Sequence, residues 1–214
     1  MKKLTWFAGF LVFVLTQSAM AQEIPKFEIF GGYSFLRVTQ DDNSPIVVTG
    51  SNGSFDSTSA NGFMASMAWN FDKKIVGLGI GAVGEFSRHT RVTNLSNLLN
   101  TPPQLGAQDP RVSGRVSTFL FGPRFTLRTE TIEPFGHFLV GGANGSFDIS
   151  VPGVSTGDSG TAFTFSAGGG LDIKFSRKIL VRLVQADYLR TPIQGSDLNS
   201  TRISTGLVYR IGSR

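Results

Sequence analysis

Read at alternate positions, residues 26–211 resolve into eight segments in which one face is apolar or small and the other is polar, charged or glycine. A period of two with two distinct faces predicts β-strands. The first, Lys26 to Arg37, sets Phe27, Ile29, Gly31, Tyr33 and Phe35 against Glu28, Gly32 and Ser34. The second, Ser57 to Phe71, aligns Phe63, Ala65, Met67, Trp69 and Phe71. The third, Ile75 to Arg88, sets Val76, Leu78, Ile80, Ala82 and Phe86 against Gly77, Gly79, Gly81 and Glu85. In the fourth, Val112 to Leu127, Phe119, Phe121, Pro123, Phe125 and Leu127 oppose Thr118, Gly122, Arg124 and Thr126. The fifth, Pro134 to Phe147, is ambiguous, and placing Phe138, Val140 and Gly142 outward turns His137 inward. The sixth is the most regular, with Phe163, Phe165, Ala167, Gly169, Leu171, Ile173 and Phe175 alternating with Thr164, Ser166, Gly168, Gly170, Asp172 and Lys174. In the seventh, Ile179 to Thr191, Arg182 falls on the face opposite Gln185 and Asp187. Either a bulge or a position for Arg182 near the headgroups reconciles it. The eighth, Thr201 to Ile211, has Ile203, Leu207, Tyr209 and Ile211 on one face and Arg202, Ser204, Gly206 and Arg210 on the other.

The connections alternate in length. Residues 72–74, 128–133 and 176–178 are short; 38–56, 90–111, 148–160 and 192–200 are longer and rich in Asn, Ser, Gly, Asp and Pro. Short turns at one end and long loops at the other are the pattern of an up-and-down barrel in an outer membrane. The expected fold is therefore all-β, an eight-stranded antiparallel transmembrane barrel. The apolar face should meet lipid, because a charge there costs roughly 2–4 kcal/mol at the midplane. The other face collects Glu28, Glu85, Arg124, His137, Asp172, Lys174, Asp187, Arg202 and Arg210. An eight-stranded barrel leaves room for side chains to fill its interior and little more, so these nine are expected to form an internal polar network. Trp69, Phe71 and Tyr209, at strand ends, are the expected girdle aromatics.

The N-terminus fits export. Lys2 and Lys3 precede an apolar stretch from Leu4 to Leu15, then Ala19-Met20-Ala21, the layout of a cleaved signal peptide over residues 1–21. The expected domain is residues 22–214. No later stretch is apolar for long enough to cross a membrane as a helix.

Composition narrows the function classes. The 26 glycines and 19 phenylalanines suit strands. Removing Lys2 and Lys3 leaves 18 basic residues against 15 acidic, a charge of +3, and these are scattered rather than clustered, so nucleic acid is not expected as a partner. With no cysteine there is no disulfide framework or thiolate metal site. Gly168-Gly169-Gly170 lies inside a strand, without the helix N-terminus that would cradle a phosphate, and reads as a place of close packing. Asp41-Asp42-Asn43 lacks the ligand spacing of a calcium loop and reads as a surface turn.

The stretches Phe27 to Phe35 (FEIFGGYSF), Phe121 to Phe125 (FGPRF), Pro134 to Gly142 (PFGHFLVGG) and Ala167 to Leu189 (AGGGLDIKFSRKILVRLVQADYL) resemble the outer-membrane β-barrel superfamily typified by OmpA/OmpX-type eight-stranded barrels. The resemblance covers most of the mature chain. It implies residence in the outer membrane of a Gram-negative envelope, contact with outer-membrane lipid and lipopolysaccharide, and insertion by the barrel assembly machinery. The last strand is similar to the insertion signal of such barrels in Gly206, Tyr209 and Ile211, but departs from it by ending in Gly212-Ser213-Arg214. No peptidoglycan-binding domain is expected.

Some barrels of this size act on lipid A. The deacylase type places a His two residues before a Ser, whereas His137 is followed by Phe138 and Leu139, and His89 by Thr90 and Arg91. His137 with Glu85 or Asp172 could form an internal proton relay, and Arg124 is expected to pair with Asp172, Asp187 or Glu85. No catalytic residue, metal or cofactor is expected. The leading expectation is a structural, envelope-stabilising barrel whose loops 38–56 and 90–111 offer surfaces for adhesion to an extracellular partner. A narrow porin-like channel and a lipid A-modifying enzyme are the alternatives.

Overall fold

The structure, a computed structural model, describes residues 25–40, 58–75, 78–94, 111–151, 154–193 and 196–213. The expected signal peptide over residues 1–21, Asp41-Asp42-Asn43 and most of the two longest loops lie outside these residues. Eight strands follow one another: β1 (Pro25–Gln40), β2 (Thr58–Ile75), β3 (Leu78–Asn94), β4 (Arg111–Leu127), β5 (Ile132–Val151), β6 (Val154–Lys174), β7 (Ile179–Ile193) and β8 (Ser196–Ser213). Each pairs antiparallel with its neighbours in sequence, and β8 closes on β1, for example through Phe27 opposite Ile211.

The stagger of the barrel follows from the pairing. Partners of Phe35 traced through Asn61, Thr90, Arg115 and Ser146 lead to Ser159 on β6. Traced the other way, through Ile203 and Ala186, they lead to Gly169. The two paths meet on β6 ten residues apart (159 against 169), so the strands are steeply inclined, by roughly 35–45° to the axis. An inclined strand climbs about 2.5 Å per residue, and ten residues then cover the roughly 25 Å of an outer-membrane apolar band.

The alternation read from the sequence sets which residues face out. Within the strands, Phe138, Phe119, Phe163, Leu207 and Phe121 are among the most exposed outward side chains, at 58–65%. An apolar belt of this extent is unstable in water and suits lipid, while closure pairs the backbone groups that lipid cannot satisfy. At the turn end, Trp69 packs between Phe27 and Phe71, with ring centroids 6.3 and 5.4 Å away, and Tyr209 projects outward on β8.

On β5, His137 is buried and Phe138 exposed, which settles the ambiguous strand. On β7 the parity break is a bulge. The register shifts between Arg182 and Gln185 on the β8 side and between Leu171 and Asp172 on the β6 side. Leu183 and Val184 therefore both face out, while Arg182, Gln185 and Asp187 all face in.

Several boundaries differ from the sequence reading. Residues 72–74 belong to the end of β2, with a register shift between Asn70 and Lys74, and β3 begins at Leu78 rather than Ile75. Residues 148–160 are mostly hairpin arms, paired as far as Val151 opposite Val154, and 192–200 likewise pair to Ile193 opposite Ser196. The parts of 38–56 and 90–111 nearest the barrel, 38–40, 90–94 and Arg111, also lie in strands. The Gly- and Ser-rich composition of 148–160 and 192–200 marks strands that extend beyond the apolar band into water, where alternation is no longer required. Ile132 and Glu133 start β5 instead of closing the turn.

Candidate functional site: the polar interior

Among the described residues every strand except β2 sends a charged or histidine side chain inward, and β2 supplies Met64. All nine residues singled out above project into the interior; Lys174 and Arg210, at the turn-side mouth, are the least enclosed. The network also contains Glu133, Arg128, Arg182 and Gln185.

The turn-side half is held by three carboxylates. Glu28 on β1 receives Arg124 at 2.8 Å, Arg210 at 3.2 Å and Arg128 at 3.4 Å. Asp172 on β6 receives Arg182 through Nε at 2.8 Å and Nη2 at 3.0 Å, and Arg124 at 3.2 Å. Glu133 on β5 pairs with Arg210 and, at 3.0 Å, with Lys174. Aromatic rings fill the space between: the Arg182 guanidinium lies 4.3 Å from the ring centroids of both Phe30 and Phe135, and Arg124 lies 4.3 Å from that of Phe135. Cation–π contact in a desolvated site contributes about 2 kcal/mol and here joins ion pairs across the lumen.

The loop-side half centres on Arg202, fully buried on β8. It donates to Glu85, to Asp187 at 2.7 Å and to Ser87 at 3.2 Å. Asp187 also contacts His137 Nε2 at 2.8 Å. Gln185 joins the halves. Its Oε1 accepts from Arg182 at 2.6 Å, and its Nε2 donates to Glu85 at 3.1 Å and Asp187 at 2.8 Å. Gly168 makes room for this: a Cβ there would lie 2.1 Å from Asp187 Oδ1, which is the close packing expected of the glycine run.

Partner choice differs in part from the sequence reading. Of the three acids offered to Arg124, only Asp172 binds it, and Glu28 takes its other side. His137 bonds to Asp187 rather than to Glu85 or Asp172. The choice is set by the barrel's stagger, which sequence spacing does not encode.

Two features have a chemical look. Glu85, His137 and Asp187 offer ligand atoms within 4.8 Å of one another. Arg202 lies on both carboxylates, so their negative charge is already met by a guanidinium, and the arrangement is an ion-pair cluster. His89 Nε2 lies 2.9 Å from Ser34 Oγ, which lies 2.9 Å from Ser204 Oγ. A Ser–His pair needs a group on the other ring nitrogen to act as a nucleophile-base system, and among the described residues His89 Nδ1 has none.

Among the described residues, five carboxylates (Glu28, Glu85, Glu133, Asp172, Asp187) thus face six cations (Arg124, Arg128, Lys174, Arg182, Arg202, Arg210). That near balance makes the interior a set of paired charges.

An apolar exterior of membrane height, a charged and filled interior and complete closure define an eight-stranded transmembrane barrel. The family model described as "Outer membrane protein beta-barrel domain" matches residues 7–210. The chain belongs to that family and is an outer-membrane protein. Among solved structures, Ail, the attachment invasion locus protein of Yersinia pestis, is similar in complex with the heparin analogue sucrose octasulfate (17% identity, 86% of this chain and 97% of that one, TM-score 0.57). A second structure of Ail gives 16% identity over 87% and 100% of the chains, with a TM-score of 0.54. OprG from Pseudomonas aeruginosa is 12% identical over 89% and 97%, with a TM-score of 0.50. At these identities the likeness is one of fold. No curated protein matches the sequence.

Proposed function

We propose that this protein is a closed, structural barrel that stabilises the envelope and holds its surface loops for contact with partners outside the cell. The observation that carries this reading is the continuous network from Glu28 through Arg124, Asp172, Arg182 and Gln185 to Glu85, Asp187 and Arg202, which fills the lumen. Opening a water path would break buried ion pairs, at about 3–5 kcal/mol for each partner left alone. A rigid scaffold with loops of 38–56 and 90–111 is where binding residues usually sit, and Ail, an attachment invasion locus protein with a similar fold, accords with adhesion. Insertion by the barrel assembly machinery and contact with lipopolysaccharide complete the proposal.

Planar-bilayer recording on the heat-modifiable, folded protein tests it. Bilayers holding the protein are expected to show no steady channels between pH 5 and 8. Reproducible unitary steps that scale with salt would replace this reading with the narrow channel.

A further inference from the structure

The outward wall of the barrel is hollowed on its turn-side half, where β1 to β4 run side by side. An apolar groove of about 330 Å³ opens there. Ala82 and Gly84 on β3 form its floor, and Phe27 on β1, Met67 and Trp69 on β2 and Phe121 on β4 form its sides. The register explains the hollow: Ala82 stands opposite Trp69, and Gly84 stands between Met67 and Phe121, so two small outward residues are flanked by large ones. A Cβ added at Gly84 would meet nothing within 4 Å, so the space over it is open. Gly84 lies six residues along β3 from Leu78, about 15 Å up at roughly 2.5 Å per residue. The groove therefore runs from the girdle aromatics Phe27 and Trp69 to the middle of the apolar band, and its volume falls at the small end of the roughly 300–1,000 Å³ of ligand sites.

A cation stands at the girdle end. Lys26 Nζ lies 5.7 Å from the centroid of the Phe27 ring, which lines the groove, and the residue is exposed. Among the described residues no carboxylate pairs with it. Glu28 and Glu133 are turned into the lumen and held there by other cations, and Glu130, in the turn after β4, is the one exposed acid described at this end. Inside a membrane an apolar surface attracts nothing by being apolar, since lipid tails are as apolar as leucine. What holds a chain is the close packing that a hollow permits and the charge that its headgroup meets.

We propose that this groove binds an anionic phospholipid of the periplasmic leaflet, with one acyl chain over Ala82 and Gly84 and the negative headgroup at Lys26. Short turns mark the periplasmic end of such barrels, and a lysine at the membrane surface attracts anionic headgroups. The groove lies outside the barrel wall, so the proposal holds whether or not the lumen conducts.

Trp69 lines the groove and is the single tryptophan of residues 22–214, so its fluorescence reports what lies there. The folded protein would be placed in phosphatidylcholine bilayers and titrated with phosphatidylglycerol carrying brominated chains, and separately with phosphatidylcholine brominated in the same way, reading the quenching of Trp69. Wild type is expected to favour the brominated phosphatidylglycerol about fivefold, the effect of one lysine at an anionic headgroup. K26Q is expected to bring the two lipids level. G84L fills the floor where a Cβ meets no neighbour, and it is expected to cut the preference below twofold although Lys26 is intact. G142L adds the same side chain on the outward face of β5, away from the groove, and is expected to behave as wild type. Equal quenching by the two lipids in wild type would overturn the proposal, as would quenching by neither, which a second copy seated in the groove would give. A preference that survives in G84L would also overturn it, by reducing the effect to a general pull of Lys26 on surrounding lipid. The comparison of lipids on wild type decides the matter even where G84L does not fold.

Discussion

Replacing Arg202 with methionine is expected to lower the stability of the folded barrel by about 3–5 kcal/mol, the usual consequence of removing one partner from a buried ion pair. Arg202 is fully enclosed and is the cation shared by Glu85 and Asp187. Methionine fills much of the same volume, so the loss reports charge more than packing. Without the guanidinium two carboxylates remain side by side in a low-dielectric lumen, supported only by Gln185 and His137. The midpoint of urea unfolding, followed by the heat-modifiable band in lipid vesicles, should fall accordingly. Adding Glu85→Gln should restore part of it, since one orphaned charge is then gone, and the double-mutant cycle should show strong coupling. Lysine at 202 should rescue incompletely, because it cannot reproduce the forked contacts to two acids and Ser87. An unchanged midpoint in Arg202→Met would mean that the lumen is hydrated enough to solvate both carboxylates.

Leu207→Arg tests the other face. Leu207 points outward from β8, 59% exposed, between Gly31 and Val181 and near mid-height of the apolar band. An arginine there should cost about 2–4 kcal/mol, whereas Thr201→Arg, on the same face of the same strand but six residues nearer the loops, should cost about 0–1 kcal/mol. The dependence on depth is the informative quantity. A soluble barrel would accept both substitutions, as solvent-facing positions do. Folding both variants into vesicles and comparing their unfolding midpoints measures it, and equal effects would contradict a lipid-facing exterior.

Much of this architecture was legible because a closed barrel in lipid imposes parity. Where the band is apolar, Phe163, Phe165, Ala167 and Leu171 must alternate with Thr164, Ser166, Gly168 and Asp172, and register slips are heavily penalised. Legibility ends where that constraint ends. Residues 148–151 and 154–160 pair in water, lose their alternation and read as loop. Glu133 looked like part of a turn because its strand starts only one residue earlier, at Ile132, yet it anchors Arg210 and Lys174. Arg182 gave a real signal, a parity break with two physical solutions, and the bulge between it and Gln185 is the one realised. Pairing within the lumen was least accessible. Arg124 and Glu28 are ninety-six residues apart, as are no residues that sequence spacing would join, and a different stagger would have delivered a different acid.

The claim beneath all of this is that one face of each strand meets lipid while the other is enclosed and filled. The chain has no cysteine, so single cysteines can be placed along β8 without background: at Ile203, Leu207 and Tyr209, which face out, and at Ser204 and Val208, which are buried. In sealed vesicles each would be offered a charged, water-soluble thiol reagent and, separately, a membrane-partitioning one. The outward sites are expected to react only with the partitioning reagent, and the inward sites with neither until the protein is boiled. Reaction of Ser204→Cys and Val208→Cys with the charged reagent in the folded protein would contradict a filled lumen, and the same reaction at 203, 207 and 209 would contradict the membrane barrel itself.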